Sequence, residues 1–129
     1  MKDYENTLMG TLGIDIIEAG EGKVVATMPV DERTHQPMGL LHGGASVALA
    51  ETVASMGGFL LVDPDHEAVV GLEINANHIK SKREGIVTAT GTIQHKGRKT
   101  QIWEIRITDE EDELICISRC TLAVIQVKK

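Results

Sequence analysis

The sequence predicts an α+β fold in which one curved antiparallel sheet wraps a single long helix. Three observations carry that prediction. Residues 44–61, GASVALAETVASMGGFLL, form the one strong helix candidate of that length, free of proline and rich in helix formers. Four extended segments follow it, joined by polar turns too short for parallel crossovers. The helix is so apolar that it needs covering nearly all round, which a sheet curled about it supplies.

In chain order, the first dozen residues, ending around Thr11 and Leu12, suit a short helix with Leu8, Met9 and Leu12 as its apolar positions. Gly13 to Glu18 and Lys23 to Val30 read as strands of a hairpin across the turn AGEG. Residues 31–41, DERTHQPMGLL, form a loop, because Pro37 and Gly39 oppose regular structure. After the helix and the linker VDPDHEA come extended segments at Val69–Ile79, Gly85–His95, Thr100–Thr108 and Leu114–Val127. The first alternates Val70, Leu72, Ile74 and Ala76 against Gly71, Glu73, Asn75 and Asn77. The second sets Thr88, Thr90 and Thr92 against Val87, Ala89 and Ile93, and the third sets Trp103, Ile105 and Ile107 against Glu104, Arg106 and Thr108. With connections SKREG, HKGRK and DEEDE, these four predict an antiparallel meander.

The 129 residues suit one domain, 1–129, with no linker, repeat or low-complexity tract. A net charge of −6 argues against a general nucleic-acid or anionic-membrane binder. No apolar run reaches the roughly 18 residues that span a bilayer, and the N-terminus lacks a secretory pattern, so a cytoplasmic location is expected. If the last segment is a strand, Cys116 and Cys120 share a face roughly 13 Å apart at ~3.3 Å per residue, too far to bridge. They read as buried thiols, and the scattered histidines give no metal-ligand spacing. Charge is unevenly placed: residues 78–106 hold seven basic and two acidic side chains, a basic zone suited to a small polyanion or a solvated strand face.

The stretch from His35 to Ser55 carries the chemistry. Gly43 and Gly44 follow His42 and open the helix, where free N–H groups and the positive end of the dipole favour an oxyanion or anion. Glu51 is a lone carboxylate in an apolar helix, costly to bury unless used, with Ser55 one turn on along its face. A subunit interface or a solvent-reaching edge would also accommodate that carboxylate. His78 shares the parity of Leu72, Ile74 and Ala76 and reads as a core or interface histidine, while His95 precedes a turn.

Gln36-Pro37-Met38-Gly39-Leu40-Leu41-His42-Gly43-Gly44, then Glu51 and Ser55, then GLEINANHIKSKREG and HKGRKTQIWEIRI stand in one register. The chain thereby resembles the hotdog-fold acyl-CoA thioesterases, in the branch of phenylacetate-pathway and Glu-dependent 4-hydroxybenzoyl-CoA thioesterases, over nearly its whole length. The resemblance implies the hotdog fold and hydrolysis of a CoA thioester, an aryl one such as hydroxybenzoyl by preference of the branch, with no metal and no cofactor beyond the CoA of the substrate. It implies that Gly43 donates its N–H to the thioester carbonyl, that Gln36 and His42 orient the acyl group and the loop, that Glu51 is nucleophile or general base, and that Ser55 positions water or substrate. Lys80, Lys82, Arg83, Arg98 and Lys99 are candidates for the CoA phosphates and nucleotide. It further implies dimers with shared active sites, usually a dimer of dimers. An enoyl-thioester dehydratase or hydratase fits the HGG-then-Glu order poorly, and a non-catalytic acyl-CoA-binding regulatory module is the non-enzyme alternative.

Overall fold

The computed structural model describes residues 3–127. A short helix α1 (Leu8–Leu12) precedes the hairpin strands β1 (Asp15–Gly20) and β2 (Lys23–Val30). The long helix α2 (Gly43–Phe59) follows, then β3 (Glu67–His78), β4 (Gly85–Lys96), β5 (Thr100–Thr108) and β6 (Leu114–Gln126). All six strands form one antiparallel sheet in the order β1-β2-β4-β5-β6-β3. The hotdog architecture expected from the sequence is the one observed. Among the described residues no helix is long and apolar enough to cross a membrane.

Small residues set the helix against the sheet. The buried positions of α2 recur in pairs four residues apart: Ala45 and Ser46, Leu49 and Ala50, Val53 and Ala54, Gly57 and Gly58. At about 100° per residue that spacing builds one broad stripe over somewhat more than half of the helix, so the sheet covers one side of it rather than its whole circumference. Leu49 and Val53 are fully buried, each worth on the order of 2 kcal/mol of apolar transfer. At the C-terminal end the approach is closest. A Cβ on Gly57 would come 2.8 Å from Trp103 Cζ2, and one on Gly58 would come 2.5 Å from Leu122 Cδ1. The buried Gln101 side chain donates to the Gly58 carbonyl at 3.3 Å and accepts from Trp103 Nε1 at 2.9 Å, bolting helix to sheet. Cys116 and Cys120 are both buried and free, as expected of inward-facing thiols. Burial pushes the Cys120 thiol up to about 12, with the carboxylates of Glu51 and Glu73 adding to the effect.

Two strand expectations are corrected. The meander holds for β4, β5 and β6 only; β3 lies on the far edge beside β6. Residues 79–84 therefore form a strap rather than a hairpin turn. It crosses three strand spacings, about 14 Å, which six residues can reach. Charge holds it down, because the strap is basic and the β5–β6 turn beneath it is acidic. Lys80 pairs with Asp109 and Glu113, and Lys82 with Glu110 at 2.5 Å. Backbone bonds complete the seam, from Lys80 N–H to the Ile115 carbonyl at 3.3 Å and from Leu41 N–H to the Lys82 carbonyl at 2.8 Å. The second correction is in β3, where a bulge at Leu72 breaks the alternation expected of Val70, Leu72, Ile74 and Ala76. Val70 and Leu72 are exposed, while Val69, Ile74 and Ala76 pack on the core.

The Lys82 ammonium, together with the Ile86 N–H, holds the Glu110 carboxyl down to about 2, from an ordinary 4.5. A depressed carboxyl contributes stability that is complete above its ordinary value and is lost as pH falls through the folded one. Glu110→Gln is expected to lower Tm modestly near neutrality, because the group is half exposed. The difference should shrink steadily between pH 4.5 and 2 and with added salt, as read in melts across pH. A difference independent of pH would show that the ion pair does not secure the strap.

Candidate active site

The loop 31–42 delivers the start of α2 to the strap. Gln36 organises this loop: its Oε1 accepts from Met38 N–H at 2.5 Å and from Leu40 N–H at 3.5 Å. Among the described residues the amide nitrogen of Gln36 has no acceptor. His42 is the N-cap of α2, in extended backbone, and its Nδ1 accepts from Gly44 N–H at 2.8 Å. Such a cap requires a neutral ring with its proton on Nε2. The His42 carbonyl takes the N–H groups of Ala45 and Ser46. Among the described residues this leaves Gly43 as the first-turn N–H with no partner, at the positive end of a 17-residue helix.

Gly43 opens on a cleft of about 350 Å³ shared with Gln36, Ser46, His78, Ile79 and Lys80. His78 was not expected there. Its ring stands so close that a Cβ on Gly43 would lie 2.8 Å from His78 Nε2. The residue is exposed rather than built into the core. Strand parity correctly turns it toward the helix, but the sequence holds no signal that the end of β3 and the start of α2 meet.

Glu51 lies at the margin of the buried stripe of α2, half-buried, reaching β3 on one side and a cleft of about 570 Å³ on the other. Ser55 lines the same cleft, and Leu8 and Met9 of α1 with Thr52, Met56 and Phe59 of α2 make most of its wall. Among the described residues the Glu51 carboxylate has neither a hydrogen bond nor an ion pair, and it rests against β3 at Gly71. Thr52 is not free to assist, since its hydroxyl donates back to the Ala48 carbonyl at 2.7 Å. One protomer thus brings Glu51 to Ser55, and Gly43 to Gln36, but not the two pairs together. Eight residues along a helix are about 12 Å, more than a Glu side chain spans. His42 faces a third cleft, of about 260 Å³, with Arg33, Thr34 and His35.

The basic zone counted along the sequence divides in space. Twelve-residue β4 carries the chain roughly 40 Å between its ends. Lys80, Lys82 and Arg83 stand at the strap, whereas Arg98 is at the far end beside Leu61 and Val62, past the C-terminus of α2, with Lys99 next to it. Acidic partners engage Lys80 and Lys82, while Arg83, Arg98 and Lys99 make no ion pair among the described residues.

Residues 38–116 match the model of the thioesterase superfamily. The 1,4-dihydroxy-2-naphthoyl-CoA hydrolase of Listeria monocytogenes is 54% identical over 122 residues, covering 95% of this chain and 98% of that protein. The hydrolase of the same name from Escherichia coli is 49% identical over 121 residues, covering 94% and 88%. Among solved structures, a thioesterase from Haemophilus influenzae superposes with a TM-score of 0.93 at 50% identity, over 98% of this chain and 87% of that one.

The cap at His42 yields a direct test. His42→Ala should cost about 1 kcal/mol in urea unfolding, the usual loss for an N-cap. Asn in its place, itself a good cap, should restore most of that stability. Loss of stability in both variants would mean that the ring is held by packing rather than by the cap.

Proposed function

The chain belongs to the thioesterase superfamily and is a thioester hydrolase, and from that premise we propose that it cleaves an aryl-CoA thioester to the free acid and CoA. The unpartnered Gly43 N–H at the head of α2 is the observation that carries the reading. A helix-terminal N–H aimed into a cleft is placed to meet the oxygen of a thioester carbonyl as negative charge develops on it, and one such donor contributes roughly 3–4 kcal/mol. Glu51 supplies the second part. It either attacks the carbonyl carbon, forming an anhydride that water then opens, or takes the proton from an attacking water. In both routes the C–S bond breaks, the thiolate leaves as CoA and gains a proton, and water's oxygen ends in the carboxylic acid. Ser55 positions the water or substrate beside Glu51, Gln36 offers its free amide N–H to the acyl end, and His42 holds the loop that aims Gly43.

An aryl group is supported by the cleft at Glu51, whose walls of Met9, Met56 and Phe59 suit a flat ring. The two relatives named as 1,4-dihydroxy-2-naphthoyl-CoA hydrolases point the same way. For the CoA phosphates Arg83 is the cation best placed, being at the Gly43 end and outside the strap's ion pairs. Lys80 and Lys82 border the same region, whereas Arg98 and Lys99 serve only if another protomer brings them there.

Because Gly43 and Glu51 open on different clefts of one protomer, each working site takes Gly43 from one copy and Glu51 from another. A two-fold axis relating antiparallel helices makes two such sites per dimer, and a dimer of dimers is the assembly proposed.

A panel of benzoyl-, hydroxybenzoyl-, naphthoyl-, phenylacetyl- and aliphatic-CoA thioesters, scored by thiol release, is expected to favour the aryl esters. Preference for aliphatic esters would refute the aryl reading, and binding without release would refute turnover. Glu51→Gln should lower kcat by ~10²-fold or more while leaving the fold intact.

Complementation tests the shared site. Subunits carrying Glu51→Ala, mixed with subunits carrying Gly43→Pro (which removes the N–H), should regain activity as heterodimers. Mixed dimers that stay inactive would overturn the two-subunit arrangement.

A further inference from the structure

Gly71 occupies the middle of β3, where a glycine weakens a strand and marks a close approach of something else. Its backbone does not require glycine, since its φ is not among the positive values of the chain. The reason lies in what faces it. Leu72 is the extra residue of the bulge, so Gly71 pairs with Leu122 and, past it, Ile74 pairs with Cys120, Ala76 with Ser118 and His78 with Cys116. Leu122, Cys120, Ser118 and Cys116 are all buried positions of β6. Directly opposed residues point to one face of a sheet, so Gly71 is turned toward the helix together with Ile74, Ala76 and His78. Unbroken alternation counted back from Ile74 would place Leu72 there instead. The bulge replaces a leucine with a glycine opposite one side chain of α2.

That side chain is Glu51. A Cβ on Gly71 would collide with Glu51 Oε2 and lie 3.5 Å from its Cδ, and it would meet no other heavy atom within 4 Å. The carboxylate has no hydrogen bond among the described residues to fix its direction. The shape of the β3 backbone sets that direction instead.

We propose that Gly71 is a positioning residue for the hydrolysis, the bulge at Leu72 turning a residue without Cβ inward so that the Glu51 carboxylate seats against β3. The inference rests on the reading of Glu51 as the reacting carboxylate. A methyl group at position 71 pushes that carboxylate off its seat, and a misplacement of about 1 Å costs up to ~10²-fold in rate.

The test measures kcat, KM and Tm for Gly71→Ala, Glu51→Asp, the double variant Glu51→Asp/Gly71→Ala, and Glu51→Gln, on the thioester hydrolysed fastest in the panel. Gly71→Ala is expected to lower kcat ~10-fold or more with KM within about 3-fold of wild type. Its Tm should not fall, because alanine at an ordinary φ reduces the entropy of the unfolded chain. In the Glu51→Asp background, where the carboxylate is withdrawn by one methylene, the added methyl should cost less than about 3-fold. The proposal is overturned by wild-type kcat in Gly71→Ala, by equal losses in both backgrounds, or by failure of both alanine variants to fold. If Glu51→Gln is inactive and Gly71→Ala fully active, the seat alone is wrong. If Glu51→Gln keeps wild-type kcat, the reading of Glu51 fails and the seat falls with it.

Discussion

The close approach of α2 to the concave sheet is the constraint on which the other features depend. A helix held this near cannot carry large side chains on its inner stripe, and from Ala45 to Gly58 it carries mostly Ala, Gly and Ser, with Leu49 and Val53 between. The sheet yields in turn at Gly91, where a Cβ would come 2.5 Å from Val53 Cγ1. Trp103 fills what the glycines vacate, and Gln101 fixes the helix against sliding along its groove. With the inner stripe committed to packing, Glu51 falls at its margin against β3 and Ser55 beyond it, and the N-terminus of α2 ends beside the strap.

Electrostatics then distributes the labour among the cations. The strap lies over a turn that is almost wholly acidic, and Asp109 is bound twice, its Oδ1 accepting from Glu111 and Glu113 N–H at 2.9 Å each. Lys80 and Lys82 answer this turn. Their charge is spent locally, which leaves the cleft mouth at Gly43 less positive than a count along the chain suggests. In the proposed reaction the helix dipole and one open N–H would therefore carry more of the anion-stabilising task there.

Much of this was legible in the sequence. The apolar run 44–61, the AGEG turn and the alternations of β4 and β5 all stand in the structure within a residue or two, because each reports local burial. The glycines after His42 and the isolated Glu51 stand out in the sequence as candidates for a similar reason, since each breaks the pattern around it. What escaped depends on distant pairing. A short polar connection looks alike whether it turns a hairpin or straps two strands, so SKREG reads as a hairpin turn and sets β3 beside β4. A one-residue bulge leaves a hydrophobic run nearly unchanged, so Leu72 was assigned the inward position that Gly71 holds. Counting charge along the chain could not show that β4 separates residues 80–83 from residues 96–99. His78 was missed because its importance comes from the helix end it touches.

A hairpin turn at the rim of a sheet is ordinarily where a chain accepts extra residues. In this protein the β5–β6 turn is instead the anvil on which the strap is clamped, and through Leu41 and Lys82 the strap is tied to the loop before α2. A loop graft or affinity tag inserted at residues 109–113 would slacken the strap and so disturb the head of the helix, far from the insertion in sequence. Among the described residues the β1–β2 turn at Glu21 and Gly22 has no such tether to the helix N-terminus. For anyone building a fusion or circular permutant of this enzyme, that outer hairpin is the joint to cut.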